Sequence, residues 1–142
     1  MDRYTCSLVQ KVVDPKHGCL NDADYYETTK QLVEKLYAAD NVIIINWGAQ
    51  CILKGKPNAV HVRLTRSQES KIKRAMESLE LDKSAAEKHV AQKERNTAQY
   101  IKQFFDMDWN DVRLYDLVID TETTSAEKSA EMIGDYLARK ID

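Results

Sequence analysis

Apolar positions along this chain recur with two different periods, and the changes of period mark its elements. From Tyr25 to Tyr37 the interval is helical: Tyr25, Thr29, Leu32, Val33, Leu36 and Tyr37 fall on one stripe. Asn21 or Asp22 caps this helix, which ends near Ala39 as Asp40 and Asn41 turn the chain. Val42-Ile-Ile-Ile-Asn46 is an apolar run with no polar alternation, the pattern of a strand buried on both faces, and it stops at Trp47-Gly48. Ala49 to Leu53 reads as a short helical turn, closed by Lys54-Gly-Lys-Pro-Asn58. Ala59 to Thr65 alternates, which predicts a second strand with Val60, Val62 and Leu64 on one face. Ser67 starts a helix with Ile72, Met76 and Leu79 inward, and the capping box Ser84-x-x-Glu87 opens a longer one carrying Val90, Thr97, Tyr100, Ile101, Phe104 and Phe105. A polar loop, 106–111, surrounds Trp109. Tyr115 to Asp120 is a third strand, and Thr124-x-x-Glu127 opens a last helix with Ala126, Ala130, Ile133 and Leu137 inward. Residues 4–13 fit a helix or a strand equally.

Strands separated by helices imply right-handed crossovers. The expected fold is therefore α/β, with a parallel sheet of about three to four strands flanked by helices. With no internal repeat, linker or low-complexity stretch, residues 1–142 read as a single domain. Ligands of open α/β sheets sit beyond the carboxyl ends of the strands, so the turn Asn46-Trp47-Gly48 and the strand end at Asp120 are the first candidate site positions.

Composition narrows the function classes. Apolar residues at 43% and charged residues at 31% are the balance of a soluble globular domain rather than a disordered chain. A formal net charge of -2 gives no reason to expect nucleic acid or a membrane as partner. There is no apolar stretch long enough to span a bilayer and no apolar signal segment after Met1, so export is not expected. Cys6, Cys19 and Cys51 are odd in number with no C-x-x-C spacing, which predicts reduced thiols and a cytoplasmic protein. His17, His61 and His89 are too scattered to suggest a metal site. The charge is nevertheless uneven. From Lys54 to Arg74 seven cations (Lys54, Lys56, Arg63, Arg66, Lys71, Lys73, Arg74) meet one acid, Glu69; from Asp106 to Glu127 seven acids meet one cation, Arg113. Such a basic cluster suits a small phosphorylated ligand better than a long polyanion, although two solvated surfaces of opposite sign give the same pattern.

From about Tyr25 onward the chain resembles the cytidylate kinase-like family of P-loop nucleoside monophosphate kinases. Val42-Ile-Ile-Ile-Asn-Trp-Gly-Ala-Gln-Cys-Ile-Leu53 is similar to the family's strand ending in Gly-Arg-Gly-Ala and Ile-Leu, and Pro57 to Leu64 is similar to its next strand. Ser67-Gln-Glu-Ser-Lys-Ile-Lys-Arg74 resembles the basic helix entering the lid. Tyr100 to Trp109 and Leu114 to Thr121 match the closing segments, and Thr123 to Glu127 resembles the start of the last helix. The resemblance implies a Rossmann-like three-layer, P-loop-kinase-like domain. It also implies, for a complete member, transfer of a phosphoryl group from ATP, with Mg, to CMP or a similar nucleoside monophosphate.

The departures bear on that activity. A phosphate cradle needs G-x-x-x-x-G-K-[ST] with helix amides on the phosphates. The chain has four glycines; Gly48 and Gly55 are seven apart rather than five, and Lys56 is followed by Pro57. It thus reads as a family domain without the N-terminal strand–phosphate loop–helix unit. Trp47 stands where the family has an arginine, so a bidentate phosphate grip is replaced by an uncharged indole. In the lid, Glu94 falls at the acidic place, Thr97 where an arginine is expected, and Lys71 where an arginine is common; Arg95 lies nearby and Arg74 is retained. The resemblance makes Asn46, Trp47, Gly48, Arg66, Lys71, Arg74, Lys93, Arg95 and Asp120 vestigial nucleotide or phosphate contacts, with no catalytic residue and no metal ligand. An arginine on the transferring phosphoryl is worth about 10³–10⁵ in rate. The expectation is a truncated or degenerate kinase-like protein with little or no activity as this chain alone. A non-catalytic nucleotide-binding or protein-interaction module is the alternative. The missing central strand would leave two inner edges. Residues 4–13 could fill the gap, the edges could pair directly, or a partner chain or second copy could complete the sheet. An upstream frame encoding the missing unit would instead make this an ordinary kinase seen in part.

Overall fold

The computed structural model describes residues 22–141; the expectations for residues 4–13, Cys6, Cys19, His17 and Asn21 lie outside them. The chain divides into two compact units, 1–52 and 53–142.

In the first unit, α1 spans Asp22–Ala39. Its stripe is the expected one: Thr29 and Val33 are buried and Tyr25, Leu36 and Tyr37 half-buried, with Leu32 exposed at the stripe's edge. The helix stops because Asp40 and Asn41 both adopt positive φ (59° and 51°), a region that short polar side chains tolerate. The Asp40 amide still reaches back to the Tyr37 carbonyl (3.2 Å).

The next segment departs from expectation. Val42 to Asn46 forms no strand ladder among the described residues, and Ile43 and Ile45 are 92% and 74% exposed. Only Ile44 between them is half-buried. The run therefore has one covered side and one open side, where an unbroken apolar run predicts two covered sides. An extended segment becomes a strand only when a neighbour takes its N–H and C=O groups, and apolar content does not supply one. Asn46, Trp47 and Gly48 then all take positive φ (71°, 59° and 67°) and lead into α2, Ala49–Ile52. The Cys51 and Ile52 amides close this turn on the Gly48 carbonyl (2.8 and 3.1 Å), and Gly48, Ala49 and Cys51 are buried.

The second unit holds the sheet. Among the described residues it has two parallel strands, β1 (Val62–Thr65) and β2 (Leu117–Asp120), rather than three or four. Val62 pairs with Leu117 and Thr65 with Asp120. The Asp116 and Leu117 amides extend the pairing by donating to the His61 carbonyl (2.7 and 3.2 Å). β1 is shorter than the alternation from Ala59 predicts, and Leu64 is 60% exposed rather than on a buried face. Ile119 on β2 is 2% exposed; burying it contributes about 2–3 kcal/mol.

Between the strands run α3 (Gln68–Leu79) and α4 (Lys83–Phe105). They form a tight hairpin: Ala75, Ala86 and Val90 make its core, with Ile72, Met76 and Leu81 packed against it. Glu80 takes a left-handed conformation, and the Leu81 amide reaches back to the Met76 carbonyl (3.2 Å), a Schellman-type ending. That ending brings Leu81 into the cluster and leaves Leu79, expected inward, 49% exposed. The reversal also moves the cap of α4 from the expected Ser84 to Asp82, whose carboxylate accepts the Ala85 amide (2.8 Å). After a one-turn 3-10 helix at Val112–Leu114, β2 leads to α5, Ala126–Ile141. Ser125, not Thr124, accepts the Lys128 amide there (3.2 Å). The inward side of α5 is correspondingly Ser129, Ile133 and Tyr136, while Ala126, Ala130 and Leu137 are exposed.

Candidate functional site

The carboxyl ends of β1 and β2 lie side by side, because parallel pairing in register brings Thr65 opposite Asp120. Two turns therefore meet. Arg66 and Ser67 lead from β1 into α3, and Thr121 and Glu122 lead from β2 toward α5. Thr121 stitches the ends together: its amide and its hydroxyl both donate to the Thr65 carbonyl (3.0 Å each). Arg66 is spent on the same turn, with Nε on Thr121 Oγ1 (3.3 Å) and Nη2 on the Thr121 carbonyl (3.2 Å).

Glu122 sits on the first turn of α3. Its carboxylate accepts the Ser67 amide (2.7 Å), the Ser67 hydroxyl (2.9 Å) and the Ser70 hydroxyl. A helix start presents unpaired amides and a positive dipole end, so a carboxylate there is stabilised. The Ser70 hydroxyl, then the Ser67 amide and hydroxyl, hold the Glu122 carboxyl below its usual range. Asp120 shapes the turn beside it, its Oδ1 accepting the Glu122 amide (2.9 Å). One turn along α3, Lys71 donates to Glu94 of α4 (2.6 Å), and Gln68 donates to the other oxygen of the same carboxylate (2.7 Å). The Lys71 ammonium is the main reason the Glu94 carboxyl also titrates low.

The expected site residues thus separate. Arg66 and Asp120 come together at the strand ends, with Lys71 nearby on α3. Arg74 is exposed further along α3. Lys93 and Arg95 flank Glu94, so on a helix they cannot share the side that faces Lys71. Both are exposed, and Arg95 pairs with Gln92 of its own helix (3.0 Å). Asn46, Trp47 and Gly48 belong to the first unit. Trp47 is half-buried at φ 59°, a conformation that costs a bulky residue about 1–2 kcal/mol.

The basic run is likewise divided rather than gathered. Arg63 lies with its guanidinium 4.5 Å from the Trp109 ring centre and 5.5 Å from that of Tyr115, and it donates to the Trp109 carbonyl (3.0 Å) and to Asn110 (2.8 Å). It locks the 106–111 loop. Lys54 and Lys56 lie at the opposite, amino end of the strands. Glu122, Ser70 and Thr121 were not expected at a site; they carry no motif, and Glu122 meets Ser67 across 55 residues of chain.

The sequence profile of the cytidylate kinase-like family matches residues 2–123. This chain belongs to the cytidylate kinase-like family. The match starts well before Tyr25, where the recognisable motifs begin, and stops short of α5. A solved structure described as an uncharacterized protein from Eubacterium ventriosum ATCC 27560 superposes with a TM-score of 0.73 over 93% of this chain and 79% of that one, at 21% identity. That likeness shows a shared fold. None of the curated proteins compared matches the chain. Among the described residues no helix is long and apolar enough to cross a membrane, and no three His, Cys, Asp or Glu side chains converge to hold a metal ion. These residues do not fit a dedicated magnesium cage; Mg²⁺ arriving with a nucleotide takes most of its ligands from phosphates and water.

Proposed function

We propose that this family member retains a nucleotide-binding surface at the carboxyl ends of β1 and β2 but, as this chain alone, transfers phosphoryl groups from ATP to CMP poorly or not at all. The observation that carries this reading is the seating of Glu122 on the first turn of α3. The helix amide and two hydroxyls that would favour a phosphate are already paired with a carboxylate. The neighbouring cations support it, since Arg66 is committed to Thr121 and Lys71 to Glu94. The sequence adds the want of any G-x-x-x-x-G-K-[ST] loop in these 142 residues and an indole at Trp47. A coupled ATP/CMP turnover assay on the purified chain tests it. The expected rate lies far below about 1 per second, and a rate in that ordinary enzyme range overturns the reading.

The open side of residues 42–45 supports a second reading, an interaction module completed by a partner or a second copy. Ile43 and Ile45 are the apolar groups such a partner would cover. Mass measurement in solution separates the two: a monomer at all concentrations removes self-association from consideration.

A further inference from the structure

The amino ends of β1 and β2 carry a feature that neither the family's activity nor the Glu122 turn uses. A cavity of about 340 Å³ opens there, at the small end of the range for small-molecule sites. Lys54, Lys56, Arg113 and Lys140 line it, together with His61 and Asp116. These cations come from three separate stretches. The turn after Leu53 supplies two lysines, the 3-10 helix supplies Arg113, and the last turn of α5 supplies Lys140. Gly55, at φ +75°, makes the turn that places Lys54 and Lys56 on one rim.

The donors are held but not used up. Lys140 Nζ donates to the Ala59 carbonyl (2.6 Å) and to Asp116 Oδ1 (3.1 Å), which leaves the third ammonium proton. Asp116 is itself fixed by the His61 amide (2.7 Å) and the Tyr136 hydroxyl (3.3 Å), so the Lys140 head is positioned rather than floating. Arg113 grips Asp111 through Nε (2.9 and 3.1 Å) and Nη2 (2.8 Å), leaving its Nη1 protons. Neither Lys54 nor Lys56 is ion-paired among the described residues. Four cations stand against the carboxylates of Asp116 and Asp111, an excess of two positive charges.

We propose that this cavity is an anion site for the phosphate group of a small phosphorylated organic molecule, distinct from the carboxyl-end surface. A twofold positive excess matches a phosphate dianion, whereas a carboxylate neutralises only half of it. Ammonium and guanidinium donors from several directions suit tetrahedral oxygens. Pro57 and Tyr115 add wall on which the organic part rests. The site stands whether or not the chain binds nucleotide at the other end of the strands, because the two ends share no lining residue.

The test is a two-dimensional amide NMR titration of the full chain with ribose 5-phosphate and, separately, with inorganic phosphate. The expected result is saturable shifts at Gly55, Lys56 and Asp116 with both probes, tighter for the sugar phosphate. Equal binding of the two would overturn the organic half of the proposal. The Lys54→Ala/Lys56→Ala variant is expected to weaken ribose 5-phosphate about tenfold or more, the size of at least one lost charge-assisted bond. Arg66→Ala and the control Lys83→Ala/Lys88→Ala are expected to change it less than about twofold. A loss in the control equal to that in the test variant would reduce the effect to bulk charge and overturn the site. The wild-type titration alone also decides: shifts confined to residues 66–71, or none at concentrations on the order of 10 mM, overturn it irrespective of how any variant folds.

Discussion

The two ends of the same strand pair handle charge in opposite ways. At the carboxyl end the chain supplies its own anion, and Glu122 takes the Ser67 amide and both serine hydroxyls while Arg66 and Lys71 are spent on Thr121 and Glu94. At the amino end four cations surround a cavity, and only Lys140 and Arg113 have carboxylate partners among the described residues. The carboxyl end carries two cations, Arg66 and Lys71, and the amino end four. What separates them is that both cations of the carboxyl end have acceptors within the chain, whereas Lys54 and Lys56 have no carboxylate partner among the described residues. A carboxylate of the chain itself sits on the start of α3 at the carboxyl end, and the cations without a carboxylate partner among the described residues lie at the other.

The most disruptive way to break the comparison is to remove the strut both ends share. Ile119→Ala deletes a side chain that is 2% exposed in the middle of β2. It is expected to cost about 2–5 kcal/mol in chemical denaturation and to loosen both ends together. A smaller and one-sided effect follows from Asp116→Ala. That change leaves the His61 amide and the Lys140 ammonium without their shared acceptor. The expected cost is about 1–3 kcal/mol by the same measurement, with the amide signals of Ser67 and Glu122 unmoved.

The smallest effect concerns pH. The Glu122 carboxyl titrates below its ordinary 4.5 because Ser70 and Ser67 donate to its ionised form. The folded chain therefore holds that proton less readily than the unfolded one. The stabilisation is complete above about pH 4.5 and is lost as pH falls through the folded value. Wild type and Glu122→Gln, compared by denaturation from pH 7 downward, are expected to differ most near neutrality and to converge below about pH 4.5. A difference that stays constant with pH would remove the charge from the account of that turn.

Much of the helical framework was legible from side-chain spacing. α1, α3, α4 and α5 all lie where apolar stripes and capping residues predicted, with caps displaced by two residues at Asp82 and by one at Ser125. The displacements have one cause, since a cap is set by where the preceding turn delivers the chain. The Schellman ending at Glu80 delivers it at Asp82. The candidate site was read less well. Arg66 and Asp120 lie on adjoining strand ends, and the polar groups they bond there, Thr121 and the Glu122 amide, carry no signal in the sequence. The basic run that suggested one phosphate patch splits between a stacked Arg63, a latched Arg66 and two lysines at the far end of the strands.

The sequence by itself determined the family, the helices and the lack of a glycine-rich phosphate loop in these residues. Those features are local: a helix satisfies its own backbone within four residues, and a motif is a spacing. Only the tertiary structure decided that Val42 to Ile45 has an open side, that Glu122 occupies the start of α3, and that the cations divide between two ends. The last two depend on partners far away along the chain. Ser67 finds Glu122 55 residues on, and Lys140 finds the Ala59 carbonyl 81 residues back. No periodicity in the chain records such a pairing; the parallel register of β1 and β2 brings the Ser67 and Glu122 turns side by side, and the packing of the last helix brings Lys140 to Ala59.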